Sequence, residues 1–131
     1  MQETSSIIST NKLNDLLNVT LCDETRHYFG GYYHVKVLAF CDVPILGAFF
    51  NSSNDFLDAR SRMGDSVRFE RVLEKMAVPQ DEIESVRSRL VIAFNETTLY
   101  YLAVPDFAER FVRSAYLKLI NKSVRQHAVG V

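Results

Sequence analysis

Apolar and polar residues alternate most cleanly between Tyr32 and Val43, where "YYHVKVLAFCDV" puts Tyr33, Val35, Val37, Ala39 and Cys41 on one side of an extended chain. Successive side chains of a strand point to opposite faces, so this period of two predicts a half-buried β-strand over 32–43, favoured by its aromatic and β-branched content. The preceding run, "LNDLLNVTLCDETRHYF", is more polar and predicts a second strand over about 15–29. Gly30 and Gly31 separate the two runs, and glycine tolerates the positive backbone angles of a tight turn, so the pair predicts a long β-hairpin. A short third strand is expected in "ILGAFF", after Pro44.

The second half changes period. "SVRFERVLEKMAVP" sets Phe69, Val72, Leu73 and Met76 at three- and four-residue spacing, which predicts a helix stopped by Pro79. Ile83, Val86, Leu90 and Phe94 recur in the same way behind Asp81, Glu82 and Glu84, whose charges suit a helix N-terminus. A shorter helix is expected over 55–63, capped by Asn54 and ended by Gly64, and a last one over about 106–122. "TTLYYLAVP" reads as a loop or short extended piece.

Strands first and helices afterwards predict an α+β domain. Its small antiparallel sheet is built on the hairpin of 15–29 and 32–43, with three to four α-helices on one face. Residues 11–125 are expected to form a single domain, with 1–10 disordered and 126–131 frayed.

Composition narrows the class without naming a function. An apolar share of 47% against 24% charged excludes a disordered or fibrous chain among these 131 residues. Fifteen basic against sixteen acidic residues remove the electrostatic pull of a basic domain toward nucleic acid or anionic membrane, so neither is expected as a partner. Charge is split, about minus four over 1–59 and plus three over 60–131; opposed halves suit association between copies, but the magnitude is modest and the favoured reading is solvated surface charge. The start, "MQETSSIIST", lacks the basic and apolar pattern of a signal peptide, and no run approaches the roughly 20 apolar residues of a membrane span, so a cytoplasmic protein is expected. Cys22 and Cys41 then read as small buried hydrophobes, and the four Asn-x-Ser/Thr sequons carry no glycan.

"HYFGGYYH", at 27–34, is nearly a palindrome. If the glycines form a two-residue loop, Phe29 faces Tyr32, Tyr28 faces Tyr33 and His27 faces His34. One face then carries Thr25, His27, Phe29, Tyr32, His34 and Lys36, with Val19, Leu21, Leu38 and Phe40 below. The other carries the stripe Tyr33, Val35, Val37, Ala39 and Cys41 beside Tyr28, Arg26, Glu24, Cys22 and Thr20.

Two facing histidines are too few to hold a metal, and Lys36 would oppose a cation, so neither a metal nor any other cofactor is expected. Cys22 and His27 lie an odd number of residues apart, on opposite faces, so no thiol–imidazole pair is expected. No phosphate loop, nucleophile elbow or metal-ligand spacing appears, and the basic residues near the C-terminus read as a solvated helix face.

What remains is shape. Tyr28, Phe29, Tyr32, Tyr33, Val35 and Val37 offer an aromatic arm and apolar stripe suited to a protein interface, and the expectation is a non-enzymatic, self-associating module, a homodimer, with an unidentified protein as the other candidate partner. The polar first strand, at a sheet edge, could also pair with its equivalent across a two-fold axis. The rival expectation is a small-molecule-binding protein or enzyme with a pocket between sheet and helices, with His27, His34, Tyr100 and Tyr101 as its candidate lining and a histidine as its acid or base.

Overall fold

The computed structural model describes residues 6–129, with side chains through 123. Four strands come first: β1 (Ser6–Lys12), β2 (Asn18–Asp23), β3 (Arg26–Phe29) and β4 (Tyr32–Pro44). Helix α1 (Ser53–Met63) and strand β5 (Ser66–Pro79) follow, then helices α2 (Ile83–Glu96), α3 (Thr98–Leu102) and α4 (Phe107–Val129). The fold is α+β with a small antiparallel sheet, as the order of patterns predicts. The backbone gathers into two compact units, one holding the chain up to Asp42 together with Arg68–Ala103, the other Val43–Val67 with the chain from Val104 onward. Among the described residues no helix is long and apolar enough to cross a membrane.

In the first unit β4 is central. β2 and β3 pair with it antiparallel, end to end along one edge, and β1 pairs antiparallel outside β2. β5 takes the other edge of β4. It runs in the opposite direction, since Arg68 meets Asp42 near the end of β4 and Glu74 meets His34 near its start.

Three expectations are corrected here. The segment 66–79 is a strand where helical spacing was expected: its apolar residues fit either period, and β4, thirteen residues long, presents a second edge of backbone donors and acceptors that only a strand can satisfy. Residues 6–10 belong to β1, where disorder was expected, because pairing with β2 supplies the order that their own sequence does not; residues 1–5 lie outside the described residues. The strand expected over 15–29 begins later, at Asn18, and is broken once, between Asp23 and Arg26. Asn14 Oδ1 accepts from Leu16 N and Leu17 N at 2.9 Å each, closing a turn before β2, and Asp23 Oδ1 accepts from Thr25 N at 3.0 Å between β2 and β3.

Smaller corrections share one cause, local turns won by short-range hydrogen bonds. Gly47–Phe49 is a 3-10 turn where a third strand was expected, and Thr98–Leu102 is a short helix in place of a loop. Helical backbone is described as far as Val129, within the stretch 126–131 where fraying was expected; 130–131 lie outside the described residues.

The core of the first unit forms where α2 meets the sheet. Val86 packs with Val35 and Val78, and Ile83 and Leu90 close around them. These are the positions of α2 that the three- and four-residue spacing picks out, and burying each such side chain is worth about 1.5–3 kcal/mol. Arg87, on the same helix, reaches Asp23 Oδ2 at 2.9 Å.

The second unit is held by aromatic packing. Ser52 Oγ accepts from Asp55 N at 3.1 Å and caps α1, two residues before the expected Asn54, and Gly64 ends the helix at φ 85°. Phe50 stands edge-on to Tyr116 of α4, centroids 5.6 Å apart, and contacts Phe56 of α1.

Candidate contact surface at the hairpin tip

The hairpin turns at the glycine pair, but its register is not the mirrored one. Phe29 pairs with Tyr32 as expected; a bulge at Tyr28 then shifts the ladder, so that His27 pairs with Tyr33 and Arg26 with His34. The shifted register persists through Cys22 with Leu38 and Leu21 with Ala39. A one-residue slip moves every side chain of a strand to its other face. Leu21 consequently joins the stripe of Val35, Val37, Ala39 and Cys41, and Val19 and Leu21 are buried with it. The mirrored register would have put Thr20, Cys22 and Glu24 there. Two fully buried aliphatic side chains, at about 1.5–3 kcal/mol each, outweigh one bulge.

The same slip separates the two histidines. His27 lies on the face of Tyr33, edge-on to its ring at 5.3 Å, and His34 lies on the face of Arg26. Each is engaged locally: His27 Nε2 donates to the carbonyl of Gly30, and His34 Nε2 sits 3.0 Å from Glu74 Oε2. The facing pair on which a metal reading rested is therefore absent, and among the described residues no group of three or more His, Cys, Asp or Glu could hold a metal ion.

Cys22 and Cys41, expected on one face, lie on opposite faces for the same reason, and both are free thiols. Burial, then the adjacent Asp42, pushes the Cys41 thiol up, away from the thiolate a nucleophile needs.

What the tip exposes is aromatic. Tyr28, Phe29 and Tyr32 are 55%, 74% and 48% exposed, the bulge turning Tyr28 out of the ladder while Phe29 and Tyr32 pair beside the turn. Tyr33 is half-buried against His27. Val35 and Val37, expected at the interface, are wholly buried within the single chain, so they belong to its core; with α2 available, the stripe needs no second chain to cover it.

The residues expected to line a pocket are not brought into one. His27 and His34 face opposite ways, and Tyr100 and Tyr101 lie exposed on α3. A cavity of about 70 Å³ in the second unit, among Phe50, Asp55, Arg113 and Tyr116, has room for a few waters, far below the several hundred Å³ of a metabolite site. A shallower trough of about 360 Å³ runs along the outside of α4 alone, beside Arg110, Arg113 and Lys118. Arg110 and Arg113 are already paired there with Asp106 and Glu109.

Two polar clusters had no sequence signal as wholes, because Asp42 and Arg68 lie 26 positions apart and Asp58 and Tyr116 lie 58 apart. Arg68 forks onto Asp42 at 2.8 and 3.0 Å while its guanidinium lies 4.1 Å over the ring of Phe40. Tyr116 and Arg62 converge on one oxygen of Asp58. Each joins neighbouring elements and is complete in itself, so both serve the scaffold.

The chain matches no family model, no curated protein and no solved structure. Function has to be read from the site.

Proposed function

We propose that this chain is a non-enzymatic protein-interaction module, and that the aromatic tip of the β3–β4 hairpin is its contact surface. The observation that carries this is the contrast within one hairpin: Val35 and Val37 are wholly covered while Tyr28, Phe29 and Tyr32, a few residues on, stay half to three-quarters exposed. Aromatic side chains are costly to leave in water and are enriched in interface cores, because they bury large areas while ordering few torsions. A two-glycine turn and a bulge hold these three on a hairpin, so little entropy is lost on docking.

The partner is a second copy. An uncharged aromatic cluster meets its equivalent without charge repulsion, and the self-complementary contact of a two-fold axis needs one surface only. The two cysteines lie on opposite faces of the sheet and need no disulfide, which suits a reducing compartment as well as any other, and the cytoplasm is the location we propose.

Sedimentation velocity of the parent and of Phe29→Asp tests this. The parent's average mass rises with concentration, and that of the variant is lower at every loading. A parent that stays monomeric throughout, or a variant that associates as the parent does, removes the reading.

A further inference from the structure

Besides the four-residue β3, the sheet has two long strands with an open outer edge, β1 and β5, and they are defended unequally. β5 carries Arg68, Glu70, Arg71, Glu74 and Lys75 along fourteen residues, and it is bent near its end by Ala77, at φ 55°, and closed by Pro79. Charges, a kink and a proline are the usual means by which an edge strand is kept from pairing with another chain. β1 carries no charge or proline through Asn11, and its one irregularity is a bulge between Ile7 and Ser9, which leaves Ser9–Asn11 as a regular, unprotected edge. Its sequence, "SIISTNK", contains no proline or glycine and one charge, Lys12, at its last position, and that charge is paired with Asp15 at 3.8 Å. Among the described residues β1 pairs only with β2, so its outer row of N–H and C=O groups has no strand beside it. Ile7 is 69% exposed on the same strand.

We infer that β1 pairs antiparallel with β1 of a second copy, across a two-fold axis at Thr10, to give one continuous sheet. The choice of occupant follows from charge. Self-pairing about Thr10 sets Lys12 opposite Ile8 of the other copy, so the two lysines stand roughly 14 Å apart along the strands. Centring the axis on Lys12 would instead juxtapose them. A strand of β5 character would bring a row of five charges against this neutral edge, each to be desolvated without a partner. Thr10 is exposed, and its hydroxyl stands 3.5 Å from that of Thr20 on β2. In the paired sheet that contact repeats in the second copy, making a row of four threonines, and cross-strand threonine pairs favour such ladders.

β1 and the tip are different surfaces, and each would be self-complementary. A chain using both assembles beyond the dimer.

The test is made in the Phe29→Asp chain, which lacks the tip contact, by analytical ultracentrifugation from micromolar to millimolar loading. Phe29→Asp alone is expected to dimerise. Adding Thr10→Glu, or Thr10→Lys, places like charges across the axis and raises the dimer dissociation constant by about tenfold or more. An equimolar mixture of the Thr10→Glu and Thr10→Lys chains dimerises again, which also shows that both are folded. A Phe29→Asp chain that is monomeric at every loading overturns the inference, as does a dimer indifferent to both charges or a mixture no tighter than its components. Failure of the tip reading would look different: Phe29→Asp would associate as the parent does while the Thr10 variants still weakened it.

Discussion

The Tyr116 hydroxyl donates to Asp58 Oδ2 at 2.7 Å, tying α4 to α1 across 58 positions of sequence. Arg62 Nε donates to the same oxygen at 2.9 Å. The Tyr116 bond, and then Arg62, hold the Asp58 carboxyl below the ordinary carboxylate range. The same bond, with burial and the charge of Asp58 behind it, pushes the Tyr116 phenol up to about 12.

The pair therefore makes stability depend on pH at both ends. Asp58 titrates lower when folded, so its contribution is present above the unfolded carboxylate pKa and lost as pH falls through the lowered one. Tyr116 titrates higher when folded, so its contribution is complete below pH 10.0 and lost as pH rises through about 12. Thermal melts of Tyr116→Phe are expected to show a lower Tm at neutral pH and a deficit that shrinks between pH 10.0 and about 12. A deficit that does not vary with pH would mean that the bond contributes nothing to the melt.

Backbone strain separates three small residues. Gly30 lies at φ 55° while Gly31 does not enter the left-handed region, the pattern of a turn that needs glycine at its first central position only. An added Cβ at either glycine meets nothing within 4 Å, so only backbone strain distinguishes them. Gly30→Ala is expected to destabilise by about 1–2 kcal/mol and Gly31→Ala by less than about 0.5 kcal/mol. Ala77, at φ 55° and exposed, already bears that strain, and Ala77→Gly is expected to stabilise by up to about 1 kcal/mol. Urea titrations of the three variants check the order.

Core and contact surface respond oppositely to truncation. Val37 is wholly buried, so Val37→Ala is expected to cost about 1–3 kcal/mol of stability and leave the association of the folded chain unchanged. Phe29→Ala is expected to change stability by less than about 0.5 kcal/mol while weakening association. Chemical denaturation beside sedimentation of each variant separates the two. If Val37→Ala stayed as stable as the parent, the stripe would not be core.

Much of the fold was fixed by local sequence. The alternation over 32–43 sufficed for β4, because a strand buried on one face and solvated on the other must alternate. The glycine pair sufficed for the turn, and the spacing of Ile83, Val86 and Leu90 for α2, since these depend on torsions and on one helix face. The pairing of Phe29 with Tyr32 beside the turn was likewise legible, whereas the place of Tyr28 was not.

Tertiary structure alone decided the rest, wherever a distant partner chose between two local possibilities of similar energy. The bulge at Tyr28 exists because burying Val19 and Leu21 is worth more than an unbroken ladder, and no short-range signal marks which register buries more. β5 is a strand because β4 offers it an edge, and β1 is ordered because β2 does, although their own residues suit helix and disorder as well. Periodicity reports how a segment meets its surroundings, and only the assembled chain supplies those surroundings.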